Sequence, residues 1–82
     1  MKYEVFTIRD EVIGYGMPMA MDNEAAAVRE CAQLVNNKES RFAFHPMDYA
    51  LYRIAYYDTD TGILSDTDPV RICGFIDLVR SE

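Results

Sequence analysis

From Asp48 to Asp58 the chain reads Asp-Tyr-Ala-Leu-Tyr-Arg-Ile-Ala-Tyr-Tyr-Asp, with no glycine or proline inside and a turn former at each end. Tyrosine, leucine and isoleucine favour a pleated, partly buried surface, so this stretch predicts a long strand entered from the His45-Pro46 turn and left through Asp58-Thr59-Asp60-Thr61-Gly62. Strict alternation places Tyr49, Leu51, Arg53, Ala55 and Tyr57 on one face and Ala50, Tyr52, Ile54 and Tyr56 on the other. Neither face is plainly polar, which predicts a strand covered on both sides or one whose second face binds another molecule. Tyr49 and Tyr57 on either side of Arg53 suit a stacking platform for single-stranded nucleic acid, since rings accept base faces and a guanidinium accepts phosphate. Tyrosines also pack well in ordinary sheets, and that use competes with the first.

The other elements arrange themselves around this strand. Lys2 to Arg9 alternates with strand period, Glu4, Phe6 and Ile8 opposing Tyr3, Val5, Thr7 and Arg9. Between Ile13 and Met21 the odd positions are large and apolar (Ile13, Tyr15, Met17, Met19, Met21) and the even ones small or rigid, the pattern of an extended arm. Such an arm docks either over its own core or on a neighbouring subunit. Asp22 and Asn23 are good helix caps, and Glu24 with the alanines after it begins a helix to about Val35. Val28, Cys31, Ala32 and Val35 form its buried stripe, and Asn36-Asn37 ends it by tolerating the left-handed conformation. Lys38 to Phe44 is read as a polar loop whose Phe42 and Phe44 plug an edge of the core. After Gly62, expected to take a positive φ, loop residues run to Pro69. A last strand follows, with Val70, Ile72, Gly74, Ile76 and Leu78 turned inward, and Gly74 marks a bulge or the close approach of another group.

These elements, in the order strand, arm, helix, strand, strand, predict an α+β domain spanning residues 1–82: a small, mainly antiparallel sheet of three to four strands with one helix on one face. A right-handed crossover is expected between the first strand and the aromatic one. The second face is poorly covered, which a homodimer or larger homo-oligomer would remedy.

With 82 residues and a net charge of −6, the chain makes a poor non-specific binder of nucleic-acid backbones, whose affinity comes from lysine and arginine displacing counterions. Any such site must be a local basic patch, drawn from Arg53, Arg41 and Arg71 beside Tyr49 and Tyr57. No apolar run is long enough to span a membrane, and Met1-Lys2-Tyr3-Glu4 lacks the pattern of a secretory signal, so a cytoplasmic location is expected. Cys31 and Cys73 are too few and too far apart for a disulfide framework, and neither makes zinc spacing with His45. The segment from Asp58 fails the EF-hand register, because its glycine falls fifth and Pro69 stands twelfth. No metal, cofactor or catalytic residue is expected: His45 has no partner that completes a nucleophile, base and oxyanion set, and the chain is not read as an enzyme.

End to end, the chain resembles the small nonstructural protein of gokushoviruses, single-stranded DNA phages of the microvirus family. The shared pattern is Val5-Phe6-Thr7 with Asp10, then Tyr15 and Pro18, Ala27-Val28-Arg29, and Val35-Asn36. Its most specific part is His45-Pro46-x-Asp48-Tyr49-x-Leu51-Tyr52 with Asp58-x-x-Thr61-Gly62. Departures are Met47 in place of an acidic residue, Met17 and Met19 in place of proline or aromatic residues, and Ala55 in place of glycine. The resemblance implies a phage accessory protein outside the capsid that binds DNA, with single-stranded DNA as its partner. By analogy with the packaging switch of isometric coliphages, it would assist the change from replicating the genome to packaging single strands in the host cytoplasm. The acidity and the arm (Ile13, Tyr15, Met17, Met19) support another reading: an adaptor docking on a phage replication or capsid protein, or on a host factor, without touching DNA.

Overall fold

The computed structural model describes residues 1–80, and its sheet is organised by one long antiparallel pairing. Strand β1 (Lys2–Asp10) lies against β4 (Tyr49–Asp58) along its full length, from Lys2 opposite Asp58 to Asp10 opposite Tyr49. Two short strands, β2 (Gly14–Tyr15) and β3 (Met19–Met21), pair with the other side of β1, and β5 (Leu64–Gly74) closes the far edge. Helix α1 (Glu24–Asn36) covers one face, helped by the short helix α2 (Arg41–Phe44) and by 3-10 turns at Pro46–Asp48 and Phe75–Leu78. The α+β architecture expected from the sequence is thus the one observed, with a sheet of five strands.

The arm is strand in its own right. It returns along β1 twice, with a one-residue register change between Arg9–Tyr15 and Phe6–Met19. The break falls where Pro18 has no N–H to give and where a side chain at Gly16 would meet the Ile8 carbonyl oxygen at 2.9 Å. Because of that change its odd positions do not share a face: Tyr15 sits opposite Arg9, whereas Met19 and Met21 sit opposite Phe6 and Glu4 on the helix side. This return strand also alters the crossover. It carries the chain back to the start of β1, α1 runs forward again, and β4 enters antiparallel to β1, so the handedness rule for parallel strands does not apply.

Helix α1 begins as its sequence predicts, with the Asn23 side chain accepting from the Ala26 N–H at 2.9 Å. Ala27, Cys31 and Val35 are buried against Phe6, Leu51 and Phe75, and Val28 packs at the margin. The helix does not end in the left-handed conformation: Asn37 is extended at φ −82°, and no residue other than glycine has a positive φ among the described residues. The Leu34 carbonyl instead accepts from the Asn37 N–H and the Ser40 hydroxyl. Asn36 clamps the helix to the C-terminal segment, donating to the Leu78 carbonyl at 2.9 Å and accepting from the Arg80 N–H at 2.9 Å.

Bulges explain the remaining differences. Leu51 pairs with Cys73 but Tyr52 pairs with Arg71, so Ile72 is an extra residue that reverses the expected alternation. Cys73 and Phe75 therefore face the helix, Phe75 is fully buried, and Val70 and Ile76 are exposed. The strand also starts earlier than expected, at Leu64, because Thr67 to Pro69 loop out where the register slips between Val70 and Asp66. Proline is tolerated there, since β5 is an edge strand. Phe42 packs on the core as expected, while Phe44 is exposed. The 58–62 turn has the expected chemistry, with Asp58 accepting from the Asp60 N–H at 2.8 Å and Gly62 at φ +74°. No helix among the described residues is long and apolar enough to cross a membrane.

Phe6 joins the sheet to α1 and is fully buried. Its replacement by alanine is expected to cost about 3–5 kcal/mol in urea unfolding. Cys31 gives a pH test. Burial, chiefly, pushes its thiol from 9.0 to about 12. The folded chain then holds a proton that the unfolded chain releases above its own, lower pKa. The associated stability is complete below pH 9.0 and is lost as pH rises toward about 12. Unfolding free energies measured across that alkaline range are expected to fall less steeply for Cys31→Ala than for the parent chain.

Candidate functional site

The face of the sheet turned away from α1 carries a group of aromatic and cationic side chains. Pairing across β1 and β4 sets Tyr3, Val5, Thr7 and Arg9 beside Tyr57, Ala55, Tyr52 and Ala50 on this open face. Tyr15 joins from β2, opposite Arg9, and Arg71 from β5, opposite Tyr52. The Arg9 guanidinium lies 5.0 Å from the Tyr15 ring centre and 6.0 Å from that of Tyr52. The two rings meet edge to face, with centres 5.4 Å apart and planes at 84°. Arg9 also pairs with Glu11 at 2.6 Å. The neighbouring Tyr52 hydroxyl, then Glu11, hold its pKa above the ordinary arginine value against partial desolvation, so it stays charged throughout the accessible pH range.

Arg71 is placed by a missing side chain. A Cβ at Gly74 would lie 2.6 Å from its Nη2, so the guanidinium folds over the bare Gly74 backbone. The close approach expected at Gly74 is therefore made by Arg71, two residues after the bulge is set at Ile72. Ala50, buried opposite both Arg9 and Gly74, completes a flat floor between the two arginine-bearing strands. Arg71 is exposed and makes no ion pair among the described residues.

The residues nominated from the sequence are split between the two faces. Val5 pairs with Ala55 but Phe6 pairs with Arg53, so one extra residue, Ile54, enters β4. Tyr49 and Arg53 therefore face the helix and Tyr57 faces away, which separates the expected platform. Tyr49 packs edge-on against Phe42 with ring centres 4.7 Å apart, and it lies 6.0 Å from Phe75. Arg53 sits 3.4 Å from Glu4 and 3.5 Å from Glu24, with its guanidinium 5.5 Å from the Tyr56 ring centre. It ties the start of α1 to the sheet and has two carboxylates to satisfy before any phosphate. Arg41 is exposed on the helix side, 5.0 Å from the Phe42 ring centre. Of the five nominated residues only Arg71 and Tyr57 share the open face. The arm residues Ile13, Tyr15 and Met17 are exposed and Met19 is half-buried.

Arg9 and Tyr52 were missed as site residues. Alternation sets Tyr52 opposite Arg53, and so away from the expected platform; the extra residue Ile54 turns Arg53 to the helix and leaves Tyr52 on the open face, where the long-range register brings it to Arg9. Cys31 is buried as expected for a core residue, and desolvation raises the Cys73 thiol as well, so neither has the character of a nucleophile.

No curated protein and no solved structure matches the chain. A family model described as Phage ORF5 protein matches residues 3–78, from the second residue of β1 through the last 3-10 turn, and so takes in both the helix core and the open face. The chain therefore belongs to the Phage ORF5 protein family.

Proposed function

We propose that this phage protein binds single-stranded DNA on the open face of its sheet, as a nonstructural accessory protein that assists the change from genome replication to single-strand packaging. The observation that carries the reading is the Tyr15–Arg9–Tyr52 cluster with Arg71 beside it. Rings of this kind stack on bases irrespective of sequence, and the two guanidinium groups supply phosphate contacts on a chain whose overall charge of −6 would otherwise repel a nucleic acid. Few cations are involved, so the binding rests more on stacking than on counterion release. The His45-Pro46-x-Asp48-Tyr49 to Thr61-Gly62 block supports a place among the gokushovirus nonstructural proteins. In that setting the partner is the single-stranded genome in the host cytoplasm and no catalysis is assigned.

Fluorescence anisotropy with labelled oligo-dT and with a duplex, titrated with salt, tests the proposal. Single strands are expected to bind better than duplex, and two phosphate contacts give a slope of about −1.4 in log K against log salt. Tyr52→Ala and Arg9→Ala are each expected to weaken binding roughly tenfold or more. Arg53→Ala, altered on the other face, is expected to leave affinity for oligo-dT within about twofold, because Glu4 and Glu24 already occupy that guanidinium. Absence of binding at low salt would overturn the proposal.

A further inference from the structure

The two ends of this elongated molecule, 44 Å in its longest dimension, carry surfaces of opposite character. At the end where β1 finishes, two adjoining clefts of about 180 and 230 Å³ open between the β2–β3 segment and α2. Ile8 and Gly16 are common to both, and Arg41 walls both. Apolar side chains dominate the rest: Met17, Met19 and Phe42 in one cleft, Ile13 and Tyr49 in the other. Ile13 and Met17 are 86% and 84% exposed, far beyond what a half-covered loop residue shows. Arg41 is the one cation lining the clefts, and it makes no ion pair among the described residues. Asp10, at the margin, has a carboxylate oxygen already accepting from the Val12 and Ile13 N–H groups at 2.9 and 3.3 Å.

At the far end, the β4–β5 hairpin presents Ile63 and Leu64, 60% and 63% exposed, among the carboxylates of Asp58, Asp60 and Asp66. Gly62 at φ +74° makes the tight turn that brings the two apolar residues to the tip. Asp60 pairs with the Met1 ammonium at 3.3 Å and Lys2 stands opposite Asp58, whereas Asp66 makes no ion pair among the described residues. An apolar tip beside that carboxylate is the complement of an apolar cleft guarded by an arginine.

We infer that the hairpin tip of one copy docks in the cleft of a second, Ile63 and Leu64 filling the Met17–Phe42 groove while Asp66 meets Arg41. Tip and cleft are different surfaces at opposite ends, so the contact is heterologous. Each copy bound leaves one free tip and one free cleft, and the assembly grows as an open chain. It requires no nucleic acid: Tyr15 of the open face lines the first cleft, but the Met17–Phe42 groove that receives the tip does not include it.

Sedimentation of the full chain without DNA tests this. The parent protein is expected to pass through dimers to larger species as concentration rises, and salt is expected to weaken the series. Arg41→Glu disables the cleft and Ile63→Asp disables the tip; both positions are exposed, so each variant is expected to fold and to remain monomeric. An equimolar mixture of the two is expected to form a heterodimer and stop there, since only one good tip and one good cleft remain. A parent chain that stays monomeric at about millimolar concentration overturns the inference. So does a closed dimer that survives in both variants, or a mixture that remains monomeric.

Discussion

Nearly everything in this molecule hangs on the full-length antiparallel pairing of β1 with β4. Strands adjacent in space but 39 residues apart in sequence, from Asp10 to Tyr49, must meet in one register before Phe6 and Leu51 can share the space beneath α1. The loop-closure entropy of that encounter is offset by the burial it permits, because Phe6, Leu51 and Phe75 become inaccessible together. The bulge at Ile54 belongs to the same pairing. It turns the near half of β4 toward the helix through Tyr49, Leu51 and Arg53, and the far half away from it through Ala55 and Tyr57.

The division of labour between the two faces follows. On the helix side, tyrosine and arginine are consumed internally: Tyr49 fills the gap between Phe42 and Phe75, and Arg53 bridges Glu4 and Glu24. On the open side Tyr15, Arg9 and Tyr52 gather over a floor kept low by Ala50 and Gly74, with Glu11 pairing Arg9 at the margin and Arg71 making no ion pair among the described residues. A strongly acidic chain can in this way keep a small cationic, aromatic surface without altering its net charge. Arg41 stands at the same end of the molecule as this cluster but on the helix side, and Tyr15 lies between the two as a wall of the neighbouring cleft.

Local chemistry was readable from the sequence to the extent that it was decided locally. The Asn23 cap, the burial of Cys31 and Val35, the Pro46 turn and the positive φ of Gly62 each depend on a few neighbouring residues, and the sequence carries their signatures. The buried stripe is nevertheless centred nearer Ala27 than the expected Val28 and Ala32, which are only half-buried. The strands were readable as strands, but their faces were not. Ile54 and Ile72 are ordinary strand residues, and nothing in either marks it as the extra one; the bulges come from fitting β4 against β1 and β5 at once. A site that straddles three strands depends on those offsets. Arg9 and Tyr52 are visible in the sequence as an arginine and a tyrosine on strands, but neither the open face of Tyr52 nor its adjacency to Arg9 is. The alternation that turns Gly74 and Ile76 inward puts Phe75 outward, and the single extra residue at Ile72 moves it into the core.

The edge formed by β5 decides in which direction the sheet can be extended. Its outer backbone groups are free along eleven residues, the kind of template that recruits further strands into aggregates. Yet Pro69 removes a donor, the register breaks twice within the strand, and in an antiparallel copy laid alongside and centred on Thr67 each Asp66 would face the copy's Asp68. Lateral growth by backbone hydrogen bonding is therefore penalised at several successive positions. A phage protein with this edge can expose a long strand and still resist seeding cross-β fibrils.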